Sequence, residues 1–174
     1  MAGDISVEER VTFTRFFQHN GKHLVRLAYL LIGNLSDAED IAQETLIEIY
    51  RKWVDVREDT AVAYARTAVV NRSRSLQRRR AVARRFAPRL AQRDDTGPAA
   101  DLPDRWLWDL VQTLPRRQRE VVVLRYWCDL GEADIARVLG ISAGTVKSSG
   151  HRAHTRLAAA LAGHDMVRAR EGAK

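Results

Sequence analysis

The chain has 174 residues, with 29 lysines and arginines against 22 acidic residues, a formal net charge of +7, and 45% hydrophobic residues. That length fits one medium domain or two small ones, the apolar content supports packed cores, and the basic excess favours a polyanionic partner such as nucleic acid. The single cysteine, Cys128, excludes an internal disulfide framework and cannot alone make a metal site, which suits a reducing compartment. The opening MAGDISVEER lacks the basic and apolar segments of a secretory leader, and no apolar run approaches the roughly 18 residues that a membrane span requires. A soluble, cytoplasmic chain without membrane insertion is expected.

In chain order, Phe13, Phe16, Phe17, Leu24, Leu27, Ala28 and Leu31 recur at three- and four-residue steps, which predicts one apolar stripe on a helix ending near Gly33-Asn34. Ser36-Asp37-Ala38-Glu39 fits a capping box and predicts the start of a second helix. On that helix Ala38, Ile41, Ala42, Thr45, Ile49 and Trp53 form the inward face, while Asp40, Glu44 and Glu48 line another. A third helix is expected to begin after Asp59-Thr60, burying Val62, Ala65, Val69 and Leu76, and its second half is densely cationic. From Arg84 the periodicity fails, with Pro88, Pro98 and Pro103 and an Asp94-Asp95 pair, which predicts a linker. A short helix from Asp104 to Thr113 follows, and Pro115 suits the first turn of the next, PRRQREVVVLRYW. Two further helices, EADIARVL and about Ala143 to Leu161, flank Gly140-Ile141-Ser142. No strand is predicted, and Cys128 is expected to be a core thiol.

Three constellations carry function. Ala136, Gly140 and Val146 have the spacing of a helix-turn-helix: a small residue where helices cross, a glycine for the left-handed turn, and an apolar anchor. Ser142 would cap the second helix, presenting Thr145, Lys147, Ser148, Ser149, His151 and Arg152 to a major groove. The arginines Arg72, Arg74, Arg78, Arg79, Arg80, Arg84, Arg85, Arg89 and Arg93 repel one another unless solvated or neutralised by phosphate. Beside them Asn71, sharing a face with Tyr64 and Arg74, could read and stack an unpaired base. The ridge of Asp40, Glu44 and Glu48, with Gln43, lacks the His or Cys ligands of a metal site. It is either a solvated helix face or a docking surface for a basic partner.

In this order the three constellations resemble the extracytoplasmic-function group of sigma-70-type factors, in a form common in actinobacteria. LIGNLSDAEDIAQETLIEIYRKW is similar to the segment of region two that docks on the clamp coiled coil of RNA polymerase. AYARTAVVNRSRSLQRRR resembles the minus-ten reader, and LPRRQREVVVLRYWCDLGEADIARVLGISAGTVKSSGHRAHTRL resembles region four, which reads the minus-thirty-five element.

The resemblance implies an all-α chain of two small helical domains joined by a flexible basic linker. Region two spans 1–83, the linker 84–103, region four 104–163 and a tail 164–174. It implies polymerase contacts at Asp37, Asp40, Gln43 and Glu44. Minus-ten contacts fall to Tyr64, Asn71, Arg74, Arg78, Arg79 and Arg80, and minus-thirty-five contacts to the six residues from Thr145 to Arg152 named above. The implied partners are the polymerase core with its β and β′ subunits, promoter DNA and an anti-sigma factor. No cofactor, metal or enzymatic activity is expected, and the place of action is the cytoplasm, at the nucleoid. Two departures from the family pattern stand out. Gly131 replaces a common serine and predicts a weaker helix cap, and Gly150 interrupts the recognition helix, where glycine costs about 1 kcal/mol relative to alanine. The rival classes are a free-standing helix-turn-helix regulator and a small helical DNA enzyme. The first usually follows a receiver or ligand-binding domain, absent from this N-terminal half, and the second needs a nucleophile or metal-ligand cluster that the sequence lacks.

Overall fold

The computed structural model describes residues 6–56, 58–86 and 105–171, with side chains of 57–59, 84–86, 105–107 and 163–171 outside the description. Two compact units divide the chain, residues 1–99 and 100–174. The described residues of both are helical and contain no strand.

The first unit holds α1 (Val7–Ile32), α2 (Leu35–Arg51) and α3 (Glu58–Phe86), each packed on the other two. α1 begins at a capping box that the sequence reading missed. Ser6 Oγ accepts from the Glu9 amide at 3.3 Å, while the Glu9 carboxylate accepts from the Ser6 amide at 2.7 Å. Gly33 ends α1 at φ 86°, donating to the Tyr29 carbonyl, a left-handed conformation that glycine adopts without a Cβ clash. The extended residue after it, Asn34, caps α2 by accepting from the Asp37 amide at 2.8 Å. The expected cap at Ser36 is therefore displaced: α2 starts two residues earlier, and Ser36 and Glu39 lie exposed inside its first turns.

The inward face of α2 is as expected. Ala38, Ile41, Ala42, Thr45 and Ile49 are buried, and Trp53, just past the helix end, is buried as well. Its indole donates to Thr12 Oγ1 at 2.9 Å and its ring lies 5.3 Å from Phe13 and 5.2 Å from Phe16, so a polar anchor accompanies the aromatic packing. Phe17 departs from the predicted stripe, half-exposed along its own helix. On α3 the core positions are Ala61, Ala65, Val69, Val70 and Ser73, with Val62 and Leu76 half-buried at the edge. The helix continues through Arg84–Phe86, the first three residues of the expected linker, whose remainder lies almost wholly outside the described residues.

The second unit holds α4 (Arg105–Gln112), α5 (Arg116–Tyr126), α6 (Glu132–Leu139) and α7 (Ala143–Glu171). Leu114, Val121, Val122, Val123, Leu124, Ile135, Leu139, Val146 and Ala153 form its core, with Cys128 buried beside them. Pro115 caps α5 one residue before the position expected for it. The Arg119 guanidinium donates to the Gln112 and Leu114 carbonyls at 3.1 and 3.2 Å, satisfying groups that a helix end leaves open. α7 continues beyond Leu161 to Glu171, so the described part of the expected tail is helical.

Candidate nucleic-acid and polymerase interfaces

In the second unit the turn between α6 and α7 has the expected construction. Gly140 is left-handed at φ 62°, the Ile141 amide donates to the Ala136 carbonyl at 3.0 Å, and Ser142 Oγ accepts from the Thr145 amide at 3.2 Å. Gly131 caps α6 without any side-chain hydrogen bond, as its missing hydroxyl requires. Val146 and Ala153 face the core, and Ser149 lies between them at helical spacing, 6% exposed. Ser149, expected on the base-reading face, is therefore buried in this structure, unlike its neighbours Lys147, Ser148, His151 and Arg152. Lys147, His151 and Arg152 are exposed, whereas the exposed hydroxyls of Thr145 and Ser148 bond locally within the first turns. α7 runs unbroken through Gly150, where an added Cβ would meet Val121 Cγ1 at an ordinary 3.6 Å.

In the first unit the acidic ridge divides. Asp40 and Gln43 are exposed with no hydrogen bond or ion pair among the described residues, and Glu44, 69% exposed, is ion-paired with Arg72 at 3.4 Å. Glu48 turns towards α3. Its carboxylate accepts from Lys52 Nζ at 2.8 Å, Arg72 Nη2 at 2.6 Å and the Tyr64 hydroxyl. Hydrogen bonds from Lys52, Tyr64 and Arg72 hold the Glu48 carboxyl down at about 2. Lys52 also donates to Tyr64 Oη at 2.9 Å and stands 5.4 Å from the ring centroid, a cation–π geometry. Tyr64, expected on the stacking face, thus has its hydroxyl bonded to Glu48 and Lys52 and its ring beside the Lys52 ammonium.

Asp37 and Arg80, expected to serve polymerase and DNA respectively, pair with each other at 2.5 Å with only 18% and 37% of their side chains exposed. Asn71, Arg78 and Arg79 are exposed and Arg74 is half-buried. Asn71 has no hydrogen bond or ion pair among the described residues. Arg84 and Arg85 continue α3 in backbone, and Arg89 and Arg93 lie outside the described residues. The sequence reading missed Lys52. Its signal was the four-residue step from Glu48, the favoured order for a helical ion pair.

An arginine helix beside a partly unpartnered acidic one, in a chain whose other unit ends in a helix-turn-helix, defines an all-α DNA-binding protein. Among proteins of known family, Sigma-70 region 2 matches residues 16–82 and Sigma-70, region 4 matches residues 104–157. The RNA polymerase sigma-E factor of Streptomyces avermitilis is 33% identical over 165 residues, covering 91% of this chain and 89% of that one. The ECF RNA polymerase sigma factor SigM of Mycobacterium tuberculosis is 32% identical over 158 residues, covering 88% and 79%. Among solved structures, the sigma factor RpoE in complex with the anti-sigma factor NepR from Bartonella quintana shares the fold. Its TM-score is 0.69 at 23% identity, covering 83% of this chain and 93% of that chain. CnrH in complex with the cytosolic domain of CnrY shares it at a TM-score of 0.62 and 24% identity, covering 87% and 88%. The chain belongs to the sigma-70 family of RNA polymerase sigma factors, in its extracytoplasmic-function group. Among the described residues no helix is long and apolar enough to cross a membrane.

Proposed function

We propose that the chain directs the RNA polymerase core enzyme to specific promoters, docking on β and β′ through Asp40, Gln43 and Glu44 of α2. The exposed cationic head groups of Lys147 and Arg152, with His151, contact upstream duplex DNA, where phosphate contacts position the helix and base contacts choose the site. Asn71 takes a base of the non-template strand at the minus-ten element, and Arg74, Arg78 and Arg79 hold that strand's phosphates. An amide side chain both donates to and accepts from an exposed base edge. The chain acts in initiation and not as an enzyme, in the cytoplasm at the nucleoid, and an anti-sigma factor is a natural inhibitor. The observation that carries this reading is Asn71: a neutral amide, exposed and without a hydrogen-bond partner among the described residues, with arginines on either side of it in α3.

The test is permanganate footprinting with reconstituted holoenzyme on linear and pre-melted templates. Asn71→Ala should form holoenzyme at the wild-type level and open the linear template poorly, with the defect relieved on the pre-melted one. Normal opening of the linear template by the folded variant would remove the strand-capture role.

A further inference from the structure

Two sets of cations stand out on α3 and the adjoining end of α2. Arg78 and Arg79 are exposed to solvent, while Arg72, Arg80 and Lys52 are each already held by a carboxylate of α2. Glu48 alone accepts from both Arg72 and Lys52, and Glu44 adds a looser contact to Arg72. Arg72 and Glu48 retain 27% and 30% of their side-chain exposure, so the pair is partly withdrawn from solvent and less screened by salt than a surface pair. Asp37, the acid expected to face polymerase, instead occupies Arg80.

Each carboxylate presents to its cation what a nucleic-acid phosphate would present: a charged oxygen acceptor at hydrogen-bond distance. We propose that Asp37 and Glu48 are specificity-determining residues for minus-ten recognition, acting as internal phosphate substitutes that withhold Arg80, Arg72 and Lys52 from arbitrary nucleic acid. A phosphate must displace a carboxylate already in place. It can do so readily only where a strand is also fixed by other contacts, so the difference in affinity between correct and incorrect strands widens while absolute affinity falls. The inference rests on the assignment of α3 as the minus-ten reader. Its test uses neither polymerase nor promoter, so its failure leaves the opening experiment untouched.

The probe is a mixed-sequence 20-nucleotide single-stranded DNA, roughly matching the site sizes of such proteins, titrated with the full chain by fluorescence anisotropy across a salt series. Glu48→Gln and Asp37→Asn should each bind more tightly than the native chain. The slope of log affinity against log salt should steepen by about 0.7 for every cation released, which amounts to roughly five-fold in affinity at 0.1 M salt. Glu39→Gln is the control: the same change in net charge, at an exposed α2 carboxylate with no partner among the described residues. Unchanged slopes in both test variants, or equal steepening in the control, would overturn the proposal. If Asp37→Asn loses helical structure, Arg72→Gln in the native and Glu48→Gln backgrounds decides by the same comparison of losses, and if Glu48→Gln does, Arg80→Gln in the native and Asp37→Asn backgrounds decides. A larger loss of affinity in the variant background supports the proposal and equal losses overturn it.

Discussion

The helix seams inside the two units are built from different chemistry. α2 meets α3 partly through charge, with Asp37 on Arg80 and Glu48 on Arg72, Lys52 and Tyr64. α5 meets α7 through methyl groups, with Leu114, Val122, Ala153 and Leu157 in one cluster and Gly150 close to Val121. A phosphate can take the place of a carboxylate, so a charged seam can exchange partners with the nucleic acid it serves. An apolar seam has no such substitute, and it fixes the helix-turn-helix by packing. The proposed reader of melted DNA is thus adjustable where the proposed reader of duplex DNA is set.

The strongest way to break this comparison is through the apolar seam. Leu114 is buried in the cluster of that seam, and Leu114→Ala should cost about 2–5 kcal/mol, comparable with the roughly 3–5 kcal/mol that so small a core supplies. Urea denaturation followed by circular dichroism should show the loss, together with loss of duplex binding. A stability change under 1 kcal/mol, well below the expected range, would deny that the seam is close-packed.

The charged seam should respond to pH instead. The Glu48 carboxyl is depressed from 4.5 to about 2 in the fold. Its contribution is therefore fully present above about pH 4.5 and is lost as pH falls towards 2. Thermal melts of the native chain should fall more steeply across that window than those of Glu48→Gln. Parallel profiles would contradict the assigned ion pairs.

Smaller effects sharpen the picture of α7. Lys147→Ala and Arg152→Ala should each weaken duplex binding evenly across sequences and flatten its salt slope by about 1. Gly150→Ala should stabilise the second unit by up to about 1 kcal/mol, because the helix gains propensity and the added methyl meets Val121 at contact distance. Ser149→Ala should leave sequence preference as it is, since the residue is buried, and a changed preference in selection from a random duplex pool would return Ser149 to the reading face.

How legible these features were in the sequence follows from the same contrast. Repeating apolar spacing identified the inner face of α2 and the Ala136, Gly140 and Val146 frame, because a buried stripe leaves a periodic trace. Ser149 belongs to that trace too, three residues after Val146 and four before Ala153, but its hydroxyl suggested a base contact when its position pointed inward. The start of α2 was ambiguous because Asn34 and Ser36 are nearly equal as caps. The left-handed Gly33 decided it by ending α1 directly before Asn34. The pairing of Asp37 with Arg80 left no such trace, since the two are separated by 43 positions and meet only after α2 and α3 pack. The contact of Tyr64 with Glu48 was hidden for that reason also: its place on α3 was legible, its neighbour on α2 was not.

The central claim is that α2 presents Asp40, Gln43 and Glu44 to RNA polymerase, and one binding measurement tests it most directly. These side chains are exposed, so charge reversal there should change stability little. Titration of core polymerase with the labelled chain should give a stoichiometric complex containing β and β′ for the native protein, and none for Asp40→Lys with Glu44→Lys at the same concentrations. Holoenzyme formation by the folded double variant at native affinity would contradict the account.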